Sequence, residues 1–156
     1  MNDYSKQIAN KLVSHMEEKE YRYEFDREKG LLKLNFNINS NLGKVRFVLD
    51  IHSCFYISYG CIDMNVKEEQ RAEVVEFITR ANYGLNFGNF EMDMRDGEIR
   101  YKCTVDCDHC MLSDEMIGTS LVVPVNMYER YGDQLLKVMF GMMGAKEAVE
   151  IAESEN

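Results

Sequence analysis

The spacing of apolar residues changes twice along this chain, and each change marks a new kind of element. Between residues 3 and 19, Ile8, Leu12, Val13 and Met16 recur at helical intervals, with Lys6, Lys11, Glu17 and Glu18 elsewhere. This predicts an amphipathic helix with Asp3 or Ser5 as its N-cap. From Tyr21 the period drops to two. Tyr21, Tyr23 and Phe25 alternate with Arg22, Glu24 and Asp26; beyond a turn ending at Gly30, Leu32, Leu34, Phe36 and Ile38 alternate with Lys33, Asn35 and Asn37. After Gly43, Val45, Phe47, Leu49 and Ile51 alternate with Lys44, Arg46 and Asp50. One polar and one apolar side predict antiparallel strands covered on a single face. Residues 55–62 are apolar on both sides, which predicts a fourth, more buried strand after a weakly signalled turn at His52-Ser53.

The helical period then returns. Asn65 followed by Glu68 makes a capping-box pattern, and Val74, Phe77, Ile78, Ala81 and Leu85 form an apolar stripe stopped by Gly84 and Gly88. Phe90, Met92 and Met94, then Ile99, Tyr101, Cys103 and Val105, alternate on either side of Asp96-Gly97, a two-residue hairpin signal. Ser113 is placed to cap a long helix whose first turn carries Asp114 and Glu115. Pro124, the sole proline, predicts a kink or two abutting helices, and a short helix is expected over 145–153. The expected fold is a single α+β domain, residues 1–156. Its antiparallel sheet carries N-terminal, middle and C-terminal helices, in the order α-β-β-β-(β)-α-β-β-α.

Composition narrows the class. A length of 156 residues, 46% hydrophobic and 29% charged, suits one globular core. A net charge of −9 argues against nucleic acid as a partner, because phosphate binding needs a basic footprint. No apolar run is long enough to span a bilayer, so no membrane role is expected, and the opening Met1-Asn2-Asp3-Tyr4-Ser5-Lys6 lacks signal-peptide character. Five cysteines without an export signal then read as reduced thiols, which places the protein in the cytoplasm as an expectation.

Particular residues carry a resemblance. They are the helical run Phe77-Ile78-Thr79-Arg80-Ala81-Asn82 with Leu85, the strand entry Phe87-Gly88-Asn89-Phe90-Glu91, and the turn and return strand Asp96-Gly97-Glu98-Ile99-Arg100-Tyr101. Tyr131, Leu135-Leu136, Val138, Gly141 and Glu147-Ala148 complete the pattern. Together they resemble the YbjN-like family of bacterial sensory transduction regulators, across roughly the whole chain. That family is similar in fold to the type III secretion chaperones, which are small acidic proteins, usually homodimers, that hold an unfolded segment of a client. The resemblance therefore implies a homodimer that acts on a protein client, without catalysis.

One constellation invites chemistry. Cys103, Cys107 and Cys110 follow the spacing C-x3-C-x2-C, with His109 beside the last. Radical SAM enzymes hold an iron–sulfur cluster with that spacing, but on a far larger barrel and near its first strand, so that reading is rejected. Zinc is the next candidate, since Cys and His are its ligands. If the strand continues through Cys107, however, its Cα lies about 13 Å from that of Cys103. Both thiols then cannot reach one ion at ~2.3 Å. Cys103 also shares the inward register of Ile99 and Tyr101. Cys107, His109 and Cys110 remain as metal candidates, needing a further ligand from elsewhere, with Cys103 secondary. The expectation is no cofactor, no metal and no catalytic residue. Nothing places His15 or His52 near a thiol, and no carboxylate pair stands out as an acid/base couple.

The last long helix carries more apolar surface than one sheet needs. At about 100° per residue, the residues from Val125 to Met143 spread over an arc of roughly 220°, against little more than ~100° for a single packed face. Tyr128, Tyr131, Leu135 and Met142 are expected in the core. Val125, Leu136, Phe140 and Met143 form a surplus flank, either irregular core filling or a protein interface. Three function classes follow: a protein-binding or chaperone-like regulatory module, a small metal or redox protein using the loop cysteines, and a domain sensing a small molecule between sheet and helices. An exposed sheet edge pairing with an extended client is a further route for the first.

Overall fold

The computed structural model describes residues 3–154. Helix α1 spans Lys6–Glu18, and Ser5 rather than Asp3 caps it, its side chain accepting from the Ile8 N–H at 3.2 Å. Leu12 and Met16 on its inner face are fully buried. Six strands follow the alternation: β1 Tyr23–Asp26, β2 Leu31–Asn37, β3 Lys44–Ile51, β4 Phe55–Asn65, β5 Asn89–Met92 and β6 Glu98–Asp106. They form one antiparallel sheet in the order β1-β2-β3-β4-β6-β5. Leu32, Leu34, Phe47, Leu49, Tyr56, Ile99 and Tyr101 carry its buried side, while Lys33, Asn35, Arg46 and Thr104 stay outside it. The fourth strand is indeed central, lying between β3 and β6.

Two turns depart from the sequence expectation. The helix does not begin at Asn65. Strand β4 runs on through that residue, with a register shift between Cys61 and Asn65, and the Asn65 side chain donates to the Asp96 carbonyl at 3.2 Å. A 3-10 turn, Glu68–Gln70, then leads into α2, Arg71–Asn82, with no side-chain cap. A capping-box pattern is local, whereas the pairing of β4 with β6 is not, and the ladder wins. Nor is Asp96-Gly97 a two-residue turn, because β5 ends at Met92 and β6 starts at Glu98. The Asp93 carbonyl accepts from Gly97 at 2.7 Å, and Gly97 holds φ at +80° with its own carbonyl accepting from Val66. The glycine is fixed by that close approach of β4's end. The hairpin itself is the one the dipeptide suggests, β5 pairing with β6, but across a longer loop.

Helix α3, Asp114–Met139, passes through Pro124 as one continuous element, so two abutting helices do not occur. Proline brings no N–H, which strips the Ser120 carbonyl of its i+4 donor. The Ser58 hydroxyl of β4 fills that vacancy, donating to the Ser120 carbonyl at 2.8 Å. One turn further the proline ring faces Gly60, where an added Cβ would stand 3.2 Å from the Pro124 Cβ, and Tyr128 Oη donates to the Gly60 carbonyl at 2.9 Å. Phe90 meets Tyr101, Tyr128 and Tyr131 edge-on, with centroids 4.8, 5.4 and 5.9 Å apart. The helix stops in a Schellman motif: Gly141, at φ +67°, donates to Val138 and Met142 donates to Lys137 at 2.8 Å. That stop overturns the core assignment of Met142, which lies past the helix and is 74% exposed. Helix α4, Ala145–Ser154, closes the layer against α2 and α3.

Candidate functional site

Register decides where the cysteines go. Cys103 lies on the inner side of β6, buried, and burial pushes its thiol up to about 11. Its neighbour is Gly88, held at φ +73°, where an added Cβ would come within 2.7 Å of the Cys103 sulfur and 2.5 Å of the Lys102 carbonyl. Phe55 and Asp106 form the last pair of the β4–β6 ladder, and one step beyond it Cys107 donates its N–H to the Cys54 carbonyl at 2.8 Å. Cys54 thus stands opposite Cys107. Sequence reasoning missed Cys54 because β4 and β6 are not consecutive, so nothing local announces that they are neighbours.

The thiols of Cys54, Cys107 and Cys110 line a groove of about 640 Å³ between the start of α1 and the start of α3, with Lys11 and Asp114 on its wall. Cys54 and Cys110 are exposed and Cys107 is half-buried. Burial foremost, then the neighbouring Cys110, Asp106 and Cys54, raise the Cys107 thiol to about 11. His109 points into solvent from a left-handed turn, φ +56°, 3.5 Å from the Asp108 carboxylate. Among the described residues no group of three or more His, Cys, Asp or Glu is arranged to hold a metal. Each histidine sits against an aspartate: His15 Nδ1 lies 2.8 Å from Asp114 Oδ1, and His52 Nε2 lies 3.3 Å from Asp50 Oδ2. Lys11 Nζ reaches the other Asp114 oxygen at 2.8 Å. These hydrogen bonds, from Lys11 first and then His15, lower the Asp114 carboxyl below its ordinary value and tie α1 to α3.

The surplus flank of α3 divides. Leu136 and Phe140 line one groove together with Met142, at the C-terminal end of the helix. Phe140 is 62% exposed, while Leu136 and Met143 are half-buried against the core. Val125 belongs to a different groove, beside Tyr21, Phe36 and the exposed Val122. In and just past α3, Met142 and Val122 are exposed apolar positions that the sequence reading did not place on the surface. The first escaped it because α3 ends sooner than the apolar pattern does.

The sheet's β5 edge is occupied at Phe90. Asn82, the last residue of α2, accepts from the Phe90 N–H with its Oδ1 and donates to the Phe90 carbonyl with its Nδ2, both at 2.8 Å. A side-chain amide takes the place a neighbouring strand's peptide group would fill.

The family model of YbjN, described as "Putative bacterial sensory transduction regulator", matches residues 12–137. The run from Phe77 to Tyr101 lies inside that match; Val138, Gly141 and Glu147-Ala148 lie beyond it, so the likeness spans less of the chain than their pattern implies. No curated protein matches the chain. No helix among the described residues is long and apolar enough to cross a membrane.

Proposed function

The chain belongs to the YbjN family, and we propose that it is a non-enzymatic regulatory module acting through protein contacts, with the end of α3 as its contact surface. The observation that carries this reading is the apolar group at that end: Phe140 and Met142 stand 62% and 74% exposed beside half-buried Leu136. Clustered exposed apolar side chains of this kind mark interaction sites, and methionine suits a surface that must adapt to its partner. The plug on β5 by Asn82 weighs against strand addition at that edge and in favour of a helix-borne contact. A homodimer through this surface, or a chaperone-like hold on a client segment, is the specific form of the proposal.

Light scattering across a concentration series, on the wild type and on Phe140→Ser/Met142→Ser, tests it. The expected result is a mass that doubles with concentration in the wild type and stays at one chain in the variant. A partner that copurifies with the wild type and is lost from the variant also supports the surface. A strict monomer whose partners survive the double substitution would remove it.

A further inference from the structure

The three thiols of the groove are not equivalent, and the sheet prearranges two of them. Cys54 and Cys107 stand opposite each other one step beyond the Phe55–Asp106 pair, joined by the 2.8 Å bond from the Cys107 N–H to the Cys54 carbonyl. A pair that exchanges both bonds in an antiparallel ladder holds its Cα atoms ~5.5 Å apart, and Cys54 and Cys107 share one of the two just past the ladder's end. Disulfides accept roughly 4.4–6.8 Å, most often ~5.5–6 Å. Residues 54 and 107 have the same parity as Ser58 and Cys103, a registered pair on the buried side, so both thiols face the groove. Cys110 also neighbours Cys107, and both thiols lean on nearby carbonyls, Cys110 on Asp106 at 3.4 Å and Cys107 on Val105 at 3.6 Å, but Cys110 sits in a loop beyond His109 with no strand register to hold it opposite Cys107.

We propose that Cys54 and Cys107 are a redox-responsive pair that closes to a disulfide when the protein meets hydrogen peroxide. The exposed Cys54 thiolate attacks one peroxide oxygen, the O–O bond breaks, and the departing oxygen leaves as hydroxide, which takes up a proton as water. Cys54 is then a sulfenic acid. Cys107, which burial keeps protonated until it is engaged, loses its proton and attacks the Cys54 sulfur. The S–O bond breaks, the S–S bond forms, and a second water leaves. Two thiols give up two electrons and the peroxide takes them. The link would join the start of β4 to the end of β6. The same turn carries His52, whose carbonyl accepts from the Ser5 N–H at 3.0 Å, so the start of α1 is held by the segment the disulfide would fix.

The test uses the reduced full-length chain treated with stoichiometric hydrogen peroxide, followed by thiol counting and peptide mapping by mass spectrometry. The expected result is loss of two of the five thiols and a Cys54–Cys107 linked peptide in a monomeric product, reversed by dithiothreitol. Cys110→Ser should retain the reaction, and Cys54→Ser should abolish it. A Cys107–Cys110 link, a link only between chains, or five thiols remaining after treatment would each overturn the proposal.

Discussion

The Ser58 hydroxyl lies 2.8 Å from the Ser120 carbonyl, the one backbone acceptor in α3 that Pro124 deprives of its helical donor. Both serines are buried, and Tyr56 Oη pairs with Ser120 Oγ at 2.8 Å in the same pocket of polarity. Removing the Ser58 hydroxyl leaves a buried carbonyl unsatisfied, so Ser58→Ala should cost about 1–3 kcal/mol. With Pro124→Ala the N–H returns to Ser120, and the same Ser58→Ala substitution should then cost less. Urea unfolding of the four proteins in this cycle gives the coupling. Additive effects would show that the two residues do not compensate each other.

Gly88 offers a second handle on the β5–β6 unit. Its positive φ alone strains any other residue by about 1–3 kcal/mol. An alanine Cβ there also meets the Lys102 carbonyl and the Cys103 sulfur. Gly88→Ala should therefore lower the thermal midpoint by several degrees, whereas Gly43→Ala, equally left-handed at φ +78° but facing open space, should lower it less. Equal losses at the two sites would mean that backbone conformation, and not the close approach, dominates.

Asp114 predicts a pH dependence with a definite sign. Its folded-state carboxyl lies below the unfolded value of ~3.9. The stabilisation it contributes is therefore complete above that value and is lost as pH falls through the lower, folded one. Asp114→Asn should unfold at lower urea than the wild type at pH 7, and the two midpoints should converge as pH is taken below about 4. A gap that stays constant as pH is lowered from 7 through the acid range would assign the link between α1 and α3 to something other than the carboxylate charge.

The five thiols should separate by rate. Cys103 and Cys107, both at about 11, and Cys61, raised by burial, carry little thiolate at pH 8, and thiolate is the reactive form. Cys54 and Cys110, both exposed, should react first with an aromatic disulfide reagent, and all five together in denaturant. A fast phase that includes Cys103, identified by mass mapping, would contradict its placement on the inner side of β6.

Much of the fold could be read from periodicity because burial on one side writes itself into alternate residues. Leu32, Leu34, Val45, Phe47 and Leu49 occupy the inner positions their spacing predicts. Ser5 and Ser113 act as the caps of α1 and α3, since capping depends on residues three apart. What failed was non-local. Asn65 looks like a helix start until Glu98 pairs with it, and Asp96-Gly97 looks like a minimal turn until Val66 claims the Gly97 carbonyl. Ser58 gives no sign on its own strand that a carbonyl in α3 awaits it. The thiol groove was legible only in part, for the cluster Cys107, His109 and Cys110 was visible while its nearest cross-strand partner, Cys54, lay about 50 residues away, beyond any spacing rule.

The amide of Asn82 on Phe90 has a consequence for assembly. A sheet with two bare margins can recruit copies at both and lengthen without limit, which is the route to fibres. Here the middle of β5 is taken from within the fold, at Phe90, and no side-chain amide pairs likewise with β1 among the described residues. The two margins are therefore unequal, and a copy arriving at β5 would have to displace the Asn82 amide before its own strand could pair with Phe90.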